Sequence, residues 1–287
     1  MRQLYQVEGR LRNNIGDVLQ GIVAKAFLSD QAEVVDREGL NKIDHVRDGL
    51  LIANGWYMHD FESFPPPANV NPIYISVHIA DSAMLRSPEI REHFKRNSPI
   101  GCRDKKTLKL FLGWGIPAYF SGCLTTTISL GQSPITQSNE VLLVDGVDHP
   151  VPDEICQKLE AHYNEPLVRV THDPPRTEGD LEEYSEKAQQ HMIELLKRYK
   201  GARKVITTKI HCGLPCLGIG ANVMMIHSNP SDPRLNTVRE FIPVLSFEQI
   251  KSGNMPDEVQ VNSDALKIRQ SFLIDIVEAS VEVGYNI

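Results

Sequence analysis

The pattern that most restricts this chain recurs along its length: a short apolar run, a polar turn, then apolar residues at helical spacing. Residues 5–7 precede a loop and a stretch from 17 to 28, where Val18, Ile22 and Ala26 recur beside Leu19, Val23 and Phe27. Apolar runs return at residues 50–53, 73–79 and 118–120, with helical stretches at 89–95 and 105–112. A second series reads as strands at 141–144, 167–170, 204–208, 223–226 and 241–245. Strands that alternate with helices are joined by crossovers, so the expected fold class is α/β with mostly parallel sheets and helices on both faces.

With 287 residues the chain holds about two domains of roughly 150 residues each. Residues 125–139 carry Thr, Ser, Gln, Gly and Pro without a helical stripe and read as the link, which sets the domains at 1–130 and 131–287. The clearest helix puts Leu181, Tyr184, Ala188, Leu195 and Tyr199 on one stripe, with Thr177 and Asp180 as an N-terminal cap and Gly201 as the stop. Ala265, Ile268, Phe272, Ile276, Ala279 and Val283 form the apolar stripe of a C-terminal amphipathic helix that closes the second domain.

Charge and cysteine usage remove several classes. Thirty basic against thirty-seven acidic residues give a net charge of −7, which excludes a protein whose work is coating nucleic acid or an anionic membrane. A local basic pocket for an anionic substrate is still allowed. The cysteines, Cys102, Cys123, Cys156, Cys212 and Cys216, are odd in number and scattered, so no disulfide framework is expected. No signal-like segment opens the chain and no window approaches eighteen apolar residues, which points to a cytoplasmic protein with at most peripheral membrane contact.

In open parallel sheets ligands gather at the carboxyl ends of strands, and with two such domains the natural site is the cleft between them. Three segments supply candidates there. Asn13-Asn14-Ile15-Gly16-Asp17 joins the first strand to a helix, where Gly16 permits close backbone approach and free N–H groups favour an anion. Asp17 also reads as an ordinary N-cap. Residues 99–104 form a short strand that feeds Arg103 and Asp104 into the start of a helix, a good setting for a carboxylate or phosphate. The bland alternative pairs Arg103 with Asp104 or another surface acid. The strand at 204–208 delivers Lys209 and His211 to its carboxyl end, an ammonium for an anion and a group that can move a proton near neutral pH. Cys212 and Cys216 could join His211 around zinc, but no fourth ligand has the usual spacing, so they read as small core residues and no metal is expected. No dinucleotide fingerprint, P-loop, nucleophile elbow or zincin motif occurs.

Taken in order, Asn14-Ile15-Gly16-Asp17, Ile100-Gly101-Cys102-Arg103-Asp104, the run from Gly122 to Thr127 and Thr207-Thr208-Lys209-Ile210-His211 resemble the polysaccharide pyruvyl transferase family. The resemblance implies two Rossmann-like domains facing across a cleft, in the GT-B-like arrangement of inverting sugar transferases. It also implies transfer of pyruvate from phosphoenolpyruvate to a saccharide acceptor, possibly lipid-linked, to form a ketal in exopolysaccharide biosynthesis. Phosphoenolpyruvate is then a co-substrate, and no further cofactor and no nucleic acid is expected. On that reading Asn14, Gly16, Arg103 and Lys209 bind substrate, His211 donates a proton and Asp17 accepts one from the sugar hydroxyl. Two departures stand out: the family's usual arginine-leucine-histidine-glycine is Lys209-Ile210-His211-Cys212 here, and its glycine-rich strand end survives only as Ala53-Asn54-Gly55-Trp56. The rival readings are a nucleotide-sugar glycosyltransferase of the same architecture and a catalytically silent relative that binds partners in polysaccharide synthesis.

Overall fold

Two all-parallel sheets divide the chain in a computed structural model that describes residues 3–8, 15–28, 32–43, 48–58, 60–146, 150–172 and 181–286. The first half contributes β1 (Gln3–Glu8), α1 (Val18–Lys25), β2 (Glu33–Asp36), β3 (Gly49–Tyr57), β4 (Val70–Ile79), α2 (Pro88–Arg96), β5 (Ile100–Cys102), α3 (Lys105–Gly113) and β6 (Ala118–Phe120). The second contributes β7 (Val141–Val144), α4 (Asp153–Tyr163), β8 (Leu167–Arg169), α5 (Leu181–Gly201), β9 (Lys204–Thr207), α6 (Ile210–Gly218), β10 (Val223–His227), α7 (Asn236–Arg239), β11 (Val244–Ser246), α8 (Phe247–Lys251) and α9 (Ser263–Asn286).

The strand orders are β2-β1-β3-β4-β5-β6 and β11-β10-β9-β7-β8. Each sheet therefore starts one strand in from an edge, sends its second strand to that edge and builds outward on the other side. The order reverses between β1 and β3 in one sheet and between β7 and β9 in the other. At such a switch point consecutive crossovers leave opposite faces and open a crevice at the carboxyl ends of the strands. The two halves are not separate cores: one apolar cluster runs from Leu19, Ile52 and Ile75 of the first through Leu142, Val205 and Met225 of the second.

Most of the expected elements form, and the differences have local causes. The run at 241–245 begins its strand only at Val244, because Phe241 and Ile242 are buried in the turn after α7 and Pro243 has no N–H for a ladder. β2 escapes a periodicity reading because four residues with acids at both ends make a thin edge strand. Gly201 is the last residue of α5 rather than its stop. A Cβ there would lie 2.0 Å from the Thr136 carbonyl oxygen, so glycine lets the helix end press against the linking segment. The predicted cap at Thr177 and Asp180 lies outside the described residues.

The largest correction concerns α9. The ridge that packs inward is Leu266, Leu273, Val277 and Val281, whereas Ile268 is 71% and Val283 57% exposed. The six-residue stripe expected to face the core mostly faces out. Arg269 fixes this rotation: its guanidinium donates to the carbonyls of Phe120 and Ser121 at 3.2 and 3.3 Å and to Glu240 Oε1 at 2.7 Å. The helix ends against the first sheet, where a Cβ on Gly284 would sit 2.7 Å from Leu50 Cδ1. Among the described residues no helix is long and apolar enough to cross a membrane.

Candidate active site

Asp17 and His211 follow the strands that flank the two switch points, one in each half, and the fold brings them together. Asp17 Oδ1 lies 3.4 Å from His211 Nδ1, with both side chains largely buried. On the other side of the ring, Arg103 Nη1 is 3.0 Å and Gln20 Nε2 3.3 Å from His211 Nε2. A guanidinium and an amide nitrogen can only donate, so Nε2 carries the lone pair and the ring proton sits on Nδ1, facing the Asp17 carboxylate. The site is thus a neutral imidazole held between an acid and a guanidinium.

The electrostatics agree with that assignment. Burial lowers the His211 pKa; the Asp17 hydrogen bond and charge pull it back up, but Arg103 and His172 add to the depression, and the result lies below the ordinary 6.5. For Asp17, burial raises the pKa, yet the His211 hydrogen bond and the charges of His211, Arg37 and Arg103 outweigh it and hold the carboxyl at about 2. Asp17 is therefore ionised under all ordinary conditions and a weak base.

Local sequence alone would have made Asp17 a helix cap. Its backbone is already helical, at φ −75° and ψ −31°, and its side chain caps nothing. The carboxylate reaches out to His211 and, at 3.8 Å, to the buried Arg37. Arg103 also departs from its bland reading. Its neighbour Asp104 caps α3 by accepting from Thr107 N at 2.9 Å and is paired with His78 Nδ1 at 2.6 Å. Arg103 is left without an ion pair among the described residues. A guanidinium that is partly buried and lacks a carboxylate is an anion site in waiting. Its backbone is clamped from both halves: the N–H donates to Val77 O at 2.8 Å, and the carbonyl accepts from Thr237 Oγ1 at 3.2 Å.

The other expected residues fall around this centre. Gly16 is buried in the turn Ile15–Asp17, whose Ile15 N–H donates across the halves to the His172 carbonyl at 2.7 Å. Lys209 is the residue before α6, with its N–H donating to Thr207 Oγ1 at 3.0 Å, and it makes no ion pair among the described residues. Asn14 lies outside the described residues. Cys212 and Cys216 are fully buried with their sulfurs 4.0 Å apart. Among the described residues no cluster of three or more histidines, cysteines or carboxylates could hold a metal.

Sequence reasoning missed Gln20, Arg37 and Thr237. Gln20 had a traceable signal in Asn54-Gly55. Gly55 adopts φ +104° at an irregularity between β3 and β4, and a Cβ there would fall 1.5 Å from Gln20 Oε1. Asn54 Nδ2 donates to the Gln20 carbonyl at 3.0 Å. What looked like the remnant of a glycine-rich strand end is the seat that lets Gln20 lean over β3 and reach His211.

The sequence profile of the polysaccharide pyruvyl transferases matches residues 14–229, which is more than half of the chain and includes Asp17, Arg103 and His211. No curated protein matches it in sequence. Among solved structures, the co-structure of MnaA from S. aureus with UDP is similar with a TM-score of 0.49 and 8% identity, covering 88% of this chain and 87% of that one.

Proposed function

Because the chain belongs to the polysaccharide pyruvyl transferase family, we propose that it moves pyruvate from phosphoenolpyruvate onto two hydroxyls of a saccharide acceptor, forming a ketal and releasing phosphate. The observation that carries this reading is the meeting of Asp17, Arg103 and His211, drawn from three motifs far apart in the chain, around an unpaired guanidinium. Phosphoenolpyruvate has a carboxylate and a phosphate, and Arg103 with Lys209 and the amides near Gly16 offers charge for both. The net charge of −7 supplies no general attraction for an anion, so these few groups must do it. We read residues 1–130 and 131–287 as two Rossmann-like domains in a GT-B-like arrangement, with substrates entering between them.

A ketal needs a proton added to the methylene carbon, attack by one sugar hydroxyl at the adjacent carbon, loss of phosphate, and ring closure by the second hydroxyl; of the two hydroxyl protons released, one makes good the proton given to carbon and the other leaves on the phosphate. In the free protein His211 Nε2 is occupied by Arg103. An anion that draws the guanidinium away frees that lone pair, and its negative charge raises the proton affinity of the ring. His211 then holds the proton on Nε2, where it can pass to the methylene carbon, while Asp17 stabilises the imidazolium from behind. This makes Asp17 a positioning residue for His211 in place of the hydroxyl base, a task for which its low pKa suits it poorly. Gln20, whose amide nitrogen lies 3.3 Å from Nε2 in the free protein, then turns its amide oxygen to accept from the new N–H.

The test incubates the purified protein with phosphoenolpyruvate and a panel of hexose and N-acetylhexosamine acceptors, free and lipid-linked. Acceptor-dependent phosphate release with a pyruvate-sized mass gain on the sugar is the expected result. Thermal stabilisation by a nucleotide sugar but not by phosphoenolpyruvate would overturn it in favour of glycosyl transfer. Arg103→Lys should raise the phosphoenolpyruvate concentration required, because a point charge replaces a fork.

A further inference from the structure

Trp56 is the one residue of β3 that is not fully buried. Among the described residues its indole belongs to none of the apolar clusters, so a ring of that size sits at the end of a core strand without being core. Strand register shows where it stands. Trp56 pairs with His78 of β4, and one step past the pair Val77 and Cys102 the Arg103 N–H donates to the Val77 carbonyl at 2.8 Å, which sets His78 beside Arg103. In-register neighbours on parallel strands point to the same face, and on this face Arg103 reaches His211 at 3.0 Å. Trp56, His78 and Arg103 thus form a row across the carboxyl end of the first sheet. A second path leads to the same place: the Arg37 guanidinium stands 5.3 Å over the indole and 3.8 Å from Asp17.

Each member of the row offers a different contact. The Asp104 carboxyl is held below its ordinary pKa, so it is ionised and can only accept, and it lies 2.6 Å from His78 Nδ1. The neutral ring therefore keeps its lone pair on Nε2, which has no partner among the described residues, and a hydroxyl can donate there. An indole carries negative charge on its ring face, which suits the C–H groups that a pyranose turns out from one side while its hydroxyls stay on the rim. Neighbouring strands lie about 4.8 Å apart, so Trp56 and Arg103 are separated by roughly 10 Å, the room that one sugar ring and one hydrogen bond require. A nucleotide base on the same indole does not fit that span, because a ribose and two phosphates would have to follow it before the transferred group reached Arg103.

We propose that Trp56 and His78 bind the acceptor saccharide: one pyranose lies on the indole, and a hydroxyl that becomes part of the ketal donates to His78 Nε2. This assignment rests on the pyruvyl transfer proposed above, but binding can be read without turnover. The sequence has two tryptophans, and Trp114 stacks with Arg91 at 4.6 Å just past α3. In a Trp114→Phe background Trp56 alone reports by fluorescence. Titration with methyl glycosides of hexoses and N-acetylhexosamines, up to about 50 mM to reach affinities weaker than millimolar, should shift its emission. His78→Gln should weaken that response about three- to tenfold. In the turnover assay Trp56→Leu should raise the acceptor KM at least about tenfold, and Trp56→Phe should recover part of the loss. The kcat and the KM for phosphoenolpyruvate should change less than about twofold. Emission unmoved by every glycoside, or moved by UDP and by no glycoside, overturns the proposal. So does an acceptor KM unchanged in Trp56→Leu. A glycoside response in a protein that never consumes phosphoenolpyruvate would sink the reaction and leave the binding site standing.

Discussion

Asp17 and Asp104 occupy the same place in their local sequences: each follows a strand of the first sheet and precedes a helix, and each is a good N-cap by residue type. Only Asp104 behaves as one. It accepts from Thr107 N at 2.9 Å and holds His78 at 2.6 Å, so its carboxylate is consumed inside its own half of the molecule. Asp17 gives up the cap and turns to a histidine 194 positions further along the chain. A carboxylate that forgoes a local hydrogen bond needs a stronger one elsewhere, and here that partner comes with Arg37 and Arg103 nearby. The difference separates a residue that builds the scaffold from one that serves the site, where sequence alone showed two alike.

That contrast can be broken most forcefully at His211. His211→Ala should reduce turnover by about 10²–10⁴-fold with an unchanged circular-dichroism spectrum, and unaltered phosphate release would remove His211 from the chemistry. Next, Asp17→Asn should slow turnover by about 10–10²-fold and leave the fold intact. Asp104→Ala should do the reverse. Losing a cap and leaving a buried His78 donor unpaired costs about 2–4 kcal/mol, read as a lower melting temperature, while catalysis in the folded fraction falls less. Similar profiles for the two variants would erase the distinction.

Two finer tests use pH. Asp17 raises the His211 pKa and Arg103 lowers it. The limb of the kcat/KM profile that belongs to His211 should therefore move to lower pH in Asp17→Asn and to higher pH in Arg103→Gln. Stability gives the smallest effect. With a folded pKa of about 2 against an ordinary 3.8, Asp17 binds fewer protons folded than unfolded, so its contribution is complete above pH 4 and fades as pH falls towards 2. Acid titration of the melting temperature should be flatter over that window in Asp17→Asn. An unchanged slope would mean that the carboxylate is not held as its surroundings indicate.

The strands, and with them Arg103 and His211, were legible because a buried parallel strand writes a nearly continuous apolar run and a site residue sits just past its end. Gln20 and Arg37 were not. Gln20 lies inside a helix and matters only because Gly55, 35 positions away, leaves room for it. Arg37 follows an edge strand too short and too acidic to be seen. The rotation of α9 was illegible for a different reason. Leu266, Leu273, Val277 and Val281 make a stripe as apolar as Ile268, Phe272, Ala279 and Val283, so periodicity offers two faces and cannot choose. The choice falls to Arg269, whose guanidinium seeks the carbonyls of Phe120 and Ser121 on the inward side.

Because α9 starts beside Phe241 and ends against Leu50, it ties a segment more than two hundred residues downstream back to β3. During synthesis the starts of β3 and β4 therefore stay uncovered until residue 284 has cleared the ribosome, some two hundred residues after those strands emerged. The first sheet can pair its strands early, but the margin at the starts of β3 and β4 stays wetted until α9 has been made. A nascent chain stalled before α9 would show a sticky apolar margin that the finished molecule hides.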